Sequence, residues 1–316
     1  KDQKYNSIFD LVKRIDLRAA NKKAFENLAL AGGFDSFSQT HRSQYFNPDG
    51  EGITFLEKVM RFGSKYQESK NSSQTNLFGS QSDEVYQELK IPYCDPWDNL
   101  EKLKREKEVV GIYISGHPLD DYKKEMDFFT TNRLSDLKDL KPFVNKTLFF
   151  GGIINSIDHL ESKNNKGWGK FVLEDFKDQY EFKIFGEEYL KFKHFIGMNL
   201  FIRLKINVRE GWTSRETARV GEPRVQFLNF EMLQDVVNNN SKKITLQLDI
   251  RTLEPPAIEK LKKELKGFRG DKPLFFDVID PEKSVKLTLS SRRQKVNIST
   301  EFLNHLESNS WHYKLN

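Results

Sequence analysis

The stretch Leu200-Phe201-Ile202-Arg203-Leu204-Lys205-Ile206-Asn207-Val208-Arg209 decides how the chain is read, because its apolar and polar residues alternate without a break. A period of two puts Leu200, Ile202, Leu204, Ile206 and Val208 on one face of a β-strand, with Phe201, Arg203, Lys205, Asn207 and Arg209 on the other. One face suits a core and the other suits water or an acidic partner. Four similar runs surround it. Strands are predicted at about 147–157, 168–175, 179–186, 198–209 and 224–233, with a short helix over 187–195 between the third and fourth. Five strands with a helix in that slot predict an OB-type β-barrel over residues 146–234, although small five-stranded barrels of other topology read alike.

Before the barrel the period is helical. Ile8, Phe9, Leu11, Val12 and Ile15 form one apolar stripe and Phe25, Leu28 and Ala29 a second, closed by Gly32-Gly33 where a helix C-terminus wants left-handed backbone. Residues 64–90 are dominated by Ser, Gln, Asn, Lys and Glu with no sustained period, and read as a tether or exposed loop. Order resumes at Asp95-Pro96-Trp97, an Asp cap with Pro at the first helical position, and the helix is expected to stop near Gly116-His117-Pro118. After the barrel, Asp235 to Asn240 reads as a linker. Beyond it come a strand (243–250), a helix (255–267), strands near 273–279, 284–290 and 294–298, a helix after Ser299 and a final strand at 311–315. The fold class is multidomain α+β: a helical N-terminal region (1–145), the five-stranded OB-type barrel (146–234) and a small C-terminal α+β domain (241–316).

Composition narrows the function classes. With 37% hydrophobic residues, 31% charged residues and 26 Phe, the chain of 316 residues is polar but too aromatic to stay disordered. No run approaches the ~18 consecutive apolar residues of a membrane span, and no secretory leader opens the chain. One cysteine, Cys94, excludes an internal disulfide and a CxxC zinc knuckle, so a cytoplasmic, metal-independent protein without a cofactor of its own is expected. The chain enters at Lys1 directly on an amphipathic pattern, which reads as an excised piece of something longer. Its net charge of +5 sits in the last two thirds: Lys and Arg against Asp and Glu number 22 to 23 over residues 1–145, 14 to 12 over 146–234 and 15 to 10 over 241–316. That bias is compatible with a nucleic-acid partner and equally with solubilising charge.

Two groups of residues invite ligands. The tether holds Gln74-Thr75-Asn76-Leu77-Phe78, and two adjacent large apolar side chains left in water cost about 1.5–3 kcal/mol each. They dock into a partner's pocket or fold back on their own domain. The barrel carries Lys166, Trp168, Lys170, Arg203, Lys205, Arg209, Trp212, Arg215 and Arg219, cations for phosphates interleaved with aromatics for stacking on bases. Glu210, Glu216 and Glu222 dilute the second of the two loops involved, so a solvated face is the competing reading. Catalytic signals are weak. Glu174 and Asp175 are adjacent on a strand and would point to opposite faces, His117 has no ligand partners nearby, and no Gly-rich phosphate loop or G-x-S-x-G string is present.

Several strings together resemble the C-terminal part of the alpha subunit of the bacterial replicative DNA polymerase, polymerase III. Residues 8–36, with Phe9-Asp10-Leu11, Lys13 through Arg18 and Ala31-Gly32-Gly33-Phe34-Asp35, are similar to that family's helical segment after its helix-hairpin-helix. Glu106-Lys107-Glu108, Gly111, Tyr113, Ser115 through Asp120 and Tyr122 are similar to the signature before its OB domain, and Lys166-Gly167, Leu173-Glu174-Asp175 and Glu181 through Phe185 continue the likeness. The resemblance implies that Gln74, Leu77 and Phe78 form an internal sliding-clamp-binding peptide. It further implies that the barrel handles single-stranded template DNA and that the tail occupies the place of a contact to the clamp loader's tau subunit. It places the palm carboxylates and their Mg2+ upstream of residue 1, so these residues would not polymerise DNA themselves. The alternatives are an RNA-binding barrel, as in anticodon-binding domains of aminoacyl-tRNA synthetases, and a hydrolase built on Glu174 or Asp175.

Overall fold

The computed structural model describes residues 4–71, 89–162, 167–211 and 221–315. The chain divides into two compact units, Lys1–Pro118 and Leu119–Asn316. Each follows from its own apolar pattern.

The first unit is helical: α1 (Ile8–Arg14), α2 (Lys22–Leu30), α3 (Arg42–Phe46), α4 (Phe55–Asn71) and α5 (Asn99–Val110). The expected stripes of α1 and α2 supply Ile8, Phe9, Leu11, Val12, Phe25 and Ala29 to a core completed by Phe34, Tyr45, Phe55, Leu56, Val59 and Phe62. Rings meet edge to face within it, Phe9 on Phe62 at 5.5 Å and Phe34 on Tyr45 at 5.5 Å. Two expectations are corrected here. Residues 64–71, read as the start of the tether, continue α4, because the Gln67 amide donates to the carbonyls of Val12 and Ile15 at 2.7 and 2.8 Å and so ties a polar turn to the end of α1. The helix expected to begin at Asp95-Pro96 begins after Asp98, whose carboxylate caps Glu101 N–H at 2.8 Å, and it ends at Gly111 with φ of 85° rather than near Gly116.

Beyond Gly111 the chain turns back onto α5 because Glu106 needs donors. The Glu106 side chain is fully buried and accepts from the backbone N–H groups of Ile114 and Ser115 at 2.9 and 3.0 Å, from Ser115 Oγ at 2.6 Å and from Arg42 Nη1 at 2.7 Å. Arg42 in turn grips Asp35 with Nε and Nη2, at 2.8 and 2.6 Å, and donates to Leu30 O at 3.1 Å. Gly32, with φ of 85°, lies so close that a Cβ there would sit 2.1 Å from the guanidinium. The left-handed turn expected at Gly32-Gly33 is present, and the room it leaves belongs to Arg42.

The second unit opens with α6 (Lys123–Phe129) and a five-stranded antiparallel sheet in the order β3-β2-β1-β4-β5. Its strands are β1 (Thr147–Glu161), β2 (Gly167–Glu174), β3 (Gln179–Phe185), β4 (Phe201–Arg209) and β5 (Arg224–Met232), with α7 (Gly186–Phe192) between β3 and β4 as the sequence predicts. β1 is long enough to pair with β4 through its first half and with β2 through its second. A bulge between Ile154 and Ser156 lies near the changeover, and Gly152 lets β1 pass Glu174, whose carbonyl oxygen would be 2.4 Å from a Cβ. The sheet curls so that its two ends meet through side chains: Phe171 of β2 and Phe182 of β3 lie 6.2 and 5.8 Å from Phe227 of β5, and Phe171 lies 6.0 Å from Phe230.

Closure goes no further than that. Among the described residues no ladder joins β3 to β5, so the five strands expected as an OB-type barrel form a curled sheet that is open between those edges. Between the two edges lies a cleft of about 1030 Å³, with Tyr180, Phe182, Val225 and Phe227 in its walls. Phe182 and Phe227 meet across this cleft at 5.8 Å, and Glu188 of α7 also lines it.

The segment expected as a linker, 235–240, is helical: α8 (Leu233–Asn240) buries Leu233, Val236 and Val237. Three consecutive Asn read as a loop, but the Asn240 amide donates to Val236 O and Glu231 and closes the helix. The last part forms β6 (Ile244–Asp249), α9 (Pro255–Gly267), β7 (Arg269–Asp280), β8 (Val285–Val296), α10 (Thr300–Ser308) and β9 (His312–Leu315). Its sheet has the order β8-β7-β6-β9, with β6 and β7 parallel across the α9 crossover. The two strands expected at 284–290 and 294–298 are one strand, β8, whose pairing with β7 is irregular between Pro273 and Phe275.

Glu106 gives the first test. Its hydrogen bonds hold its pKa at about 2, below the ordinary 4.5 of a glutamate, so its stabilising contribution is complete above pH 4.5 and is lost as pH falls toward 2. Glu106→Gln, which leaves Arg42 short of a buried partner, is expected to cost about 3–5 kcal/mol in urea unfolding at pH 7. The gap between wild type and variant should narrow as pH is lowered through 4 to 3, and an unchanged gap would contradict this assignment.

Candidate nucleic-acid interface

Strand alternation sorts the sequence-predicted residues by face. Phe171 and Leu173 of β2, Phe182 and Ile184 of β3 and Ile202, Leu204, Ile206 and Val208 of β4 point into one core, so their neighbours point outward. On β2 and β3 those neighbours are Trp168, Lys170, Glu181, Lys183 and Phe185. Register places Trp168 opposite Phe185 and Lys170 opposite Lys183, while β1 brings Leu160 beside Trp168 and Asp158 beside Lys170. Trp168 and Phe185 stack with centroids 5.2 Å apart and planes 19° from parallel, and Phe185 is 55% exposed. The Lys170 ammonium lies 3.0 Å from Asp158, whose hydrogen bond raises the lysine pKa above its ordinary value. An aromatic step with cations two register positions away on the same face can take a base on the rings and a phosphate on the lysines.

Trp168 and Lys170 therefore share one face, whereas Arg203 and Lys205 lie with Phe149, Asn229 and Glu231 at a separate notch. Arg209, with Arg224 and Gln226, stands across the cleft between β3 and β5 from Lys183 and Phe185. Arg203 is committed within the chain. Its guanidinium donates to Phe129 O at 2.7 Å, Glu231 at 3.1 Å and Asn240 at 3.0 Å, and covers the Phe149 ring at 4.5 Å, leaving the side chain 11% exposed. Burial lowers its pKa and Glu231 opposes that. Lys205 stands over the other reach of Phe149 at 5.6 Å, and Arg209 Nε donates to Gln226 at 2.8 Å. Lys166, Trp212, Arg215 and Arg219 lie outside the described residues, as do Gln74, Leu77 and Phe78.

Sequence reasoning missed Lys183 and Phe185. The signal was present: in Gln179, Glu181, Lys183 and Phe185 the polar phase of β3 ends on a large aromatic. The carboxylates considered for catalysis are structural. Asp175 accepts from the N–H groups of Leu134, Lys177 and Asp178 at 2.8–2.9 Å and closes the β2–β3 turn, and Glu174 accepts from Asn155. His117 sits edge-on to Tyr113 at 5.0 Å. Among the described residues no group of His, Cys, Asp and Glu could hold a metal ion, and no helix is long and apolar enough to cross a membrane.

Comparison with known proteins gives this geometry a context. Residues 244–316 match the family described as DNA polymerase III alpha subunit, C-terminal domain, and residues 1–45 match a helix-hairpin-helix motif, which puts the first helices within that motif rather than after it. DNA polymerase III subunit alpha of Borreliella burgdorferi is 29% identical over 92% of the chain and 24% of its own length. The subunits of Campylobacter jejuni and Thermus aquaticus are 26% and 25% identical, over 88% and 97% of the chain and 23% of their own lengths. The chain spans about a quarter of the length of these curated relatives.

Arg203→Ala removes a partner from Glu231 and is expected to destabilise the second unit by about 3–5 kcal/mol in urea unfolding, whereas Lys205→Ala should stay within about 0.5 kcal/mol of wild type. Equal effects would contradict the division between a committed arginine and an outward lysine.

Proposed function

Since the chain corresponds in sequence to the C-terminal region of DNA polymerase III alpha subunits, we propose that it is the template-handling and clamp-tethering part of a replicative DNA polymerase. The observation that carries this reading is the Trp168–Phe185 stack beside Lys170 and Lys183 on one outward face. Bases of a single strand lie on the rings while its phosphates follow the lysines, and sequence preference is weak because every base has a π-face. Lys166, Trp212, Arg215 and Arg219, which lie outside the described residues, are assigned to the same ligand on the chemistry of their side chains. DNA-directed DNA synthesis belongs in this reading to the whole subunit. No catalytic residue and no cofactor is assigned to these residues, and Mg2+ goes with the carboxylates expected upstream.

Gln74, Leu77 and Phe78 serve as the clamp-binding peptide, the two apolar side chains filling a pocket on the sliding clamp and the amide bonding at its rim. Tethering then keeps the polymerase near DNA at high effective concentration. The C-terminal α+β part offers a surface for the tau subunit. There β8 leaves Val285, Leu287 and Leu289 about half exposed, beside a groove of about 310 Å³ between α9 and the sheet. The site of action is the cytoplasm, at the replication fork.

Binding of the full chain to oligo-thymidine, followed by fluorescence anisotropy, should weaken steeply with salt, and Phe185→Ala should cost about 1–3 kcal/mol of affinity, roughly ten- to a hundredfold. Salt-insensitive binding, or a Phe185→Ala chain that binds like wild type, would sink the single-strand assignment. In calorimetry against the cognate sliding clamp, the Leu77→Ala, Phe78→Ala double variant should lose the binding that the intact chain shows. Retained binding would move the clamp contact elsewhere.

A further inference from the structure

We propose that the free edge of β8 takes an extended, acidic segment of a partner protein as an added strand. This docking mode rests on the reading of the C-terminal part as the surface for the tau subunit, and it assigns that contact to strand addition rather than to a helix laid in a groove.

β8 stands at the end of the sheet order β8-β7-β6-β9, so one side of its backbone pairs with β7 and, among the described residues, no strand lies along the other. The residues from Val285 to Ser290 are all exposed. Free N–H and C=O groups on such an edge are a template for another strand, and proteins commonly guard them with an outward lysine. Lys286 is the one charge in this stretch, and it does not stand guard. Its ammonium lies 2.7 Å from Asp277 of β7, itself 3% exposed. Thr288 Oγ1 turns the same way and donates to Asp277 at 2.6 Å. Both polar side chains are drawn back onto the neighbouring strand, and the backbone edge is left open.

The other phase of β8 is apolar. Register sets Leu287 opposite Val278 and Leu289 opposite Phe276, and Phe276, Val278 and Leu289 line the groove that runs to Ile258 of α9. A strand paired with β8 places every second side chain beside this apolar surface. Charge then selects the occupant. The β7–β8 register jumps from Phe275 opposite Ser290 to Pro273 opposite Lys295, and the extra residues of β8 carry Arg292 and Arg293. Both arginines are exposed, and neither meets a carboxylate among the described residues. Residues 282–296 hold five cations, Lys283, Lys286, Arg292, Arg293 and Lys295, against one acid, Glu282. A second copy of the strand would bring like charge to the edge, whereas a segment with Asp or Glu beside its apolar residues is drawn to it.

The test uses the full chain and the cognate tau subunit, with affinity from calorimetry and amide hydrogen exchange measured on the complex. Binding is expected to slow exchange at the alternate N–H groups of Val285 to Ser290 that point away from β7. The Arg292→Glu, Arg293→Glu double variant should bind at least about tenfold more weakly, with the larger loss at low salt. An unchanged unfolding midpoint in urea would exclude a folding defect as the cause. A wild-type chain that does not bind tau would remove the tau reading and this docking mode with it. Tau binding with unslowed exchange in β8, or a double variant that binds like wild type, would overturn strand addition alone and leave the tau reading in place. Self-association of the chain that disappears on Leu287→Asp would overturn the choice of partner and make the edge an interface between copies.

Discussion

The aromatic layer formed by Phe171, Phe182, Phe227 and Phe230 is the contact on which the sheet domain depends. These four rings, each at most 5% exposed, join strands that share no ladder, and they turn a five-stranded sheet back upon itself. Removing one large buried ring of this kind costs about 3–5 kcal/mol, a large part of a domain's whole stability. The layer curls the sheet so that Lys183 and Phe185 on one edge and Arg209, Arg224 and Gln226 on the other line one cleft. The cleft of about 1030 Å³ between β3 and β5 remains as the seam.

That geometry decides what the surface residues can do. A string of cations and aromatics that looks like one groove in sequence is partly divided in space: Trp168 and Lys170 go with Phe185 and Lys183, Arg209 lines the cleft shared with Lys183 and Phe185, Lys205 goes with Asn229, and Arg203 is drawn inward to join α6, β5 and α8. Arg203 shows how a charge in an alternating strand can be structural. Its position near the start of β4 supplies three acceptors, on Phe129, Glu231 and Asn240, whereas Lys205 two residues on meets the Phe149 ring.

Much of this was legible. The period of two in β4 fixed which side chains are inward, and the helix between β3 and β4 followed from the break in alternation after Phe185. The helix expected over 255–267 has those bounds because Pro255 can start a helix but cannot continue one. What escaped depended on contacts between distant residues. Arg42 and Glu106 are 64 positions apart, and nothing local marks either as half of a buried pair. The three Asn that suggested a linker are helical because Leu233 and Val236 share a core with Leu119, Met126 and Phe201 while Val237 joins the core of the C-terminal sheet. α4 runs past its apolar stripe because Gln67 finds two free carbonyls on α1.

The central claim is that the outward face of β2 and β3 receives the bases of a single strand on the Trp168–Phe185 step. Fluorine NMR of the full chain carrying 5-fluorotryptophan, with the Trp168 resonance identified by Trp168→Phe, tests it most directly. On titration with oligo-thymidine the account predicts a saturable, salt-sensitive shift of the Trp168 resonance while that of Trp311, packed against the core of the C-terminal sheet, stays in place. A Trp168 resonance that does not move while the DNA is bound would contradict it.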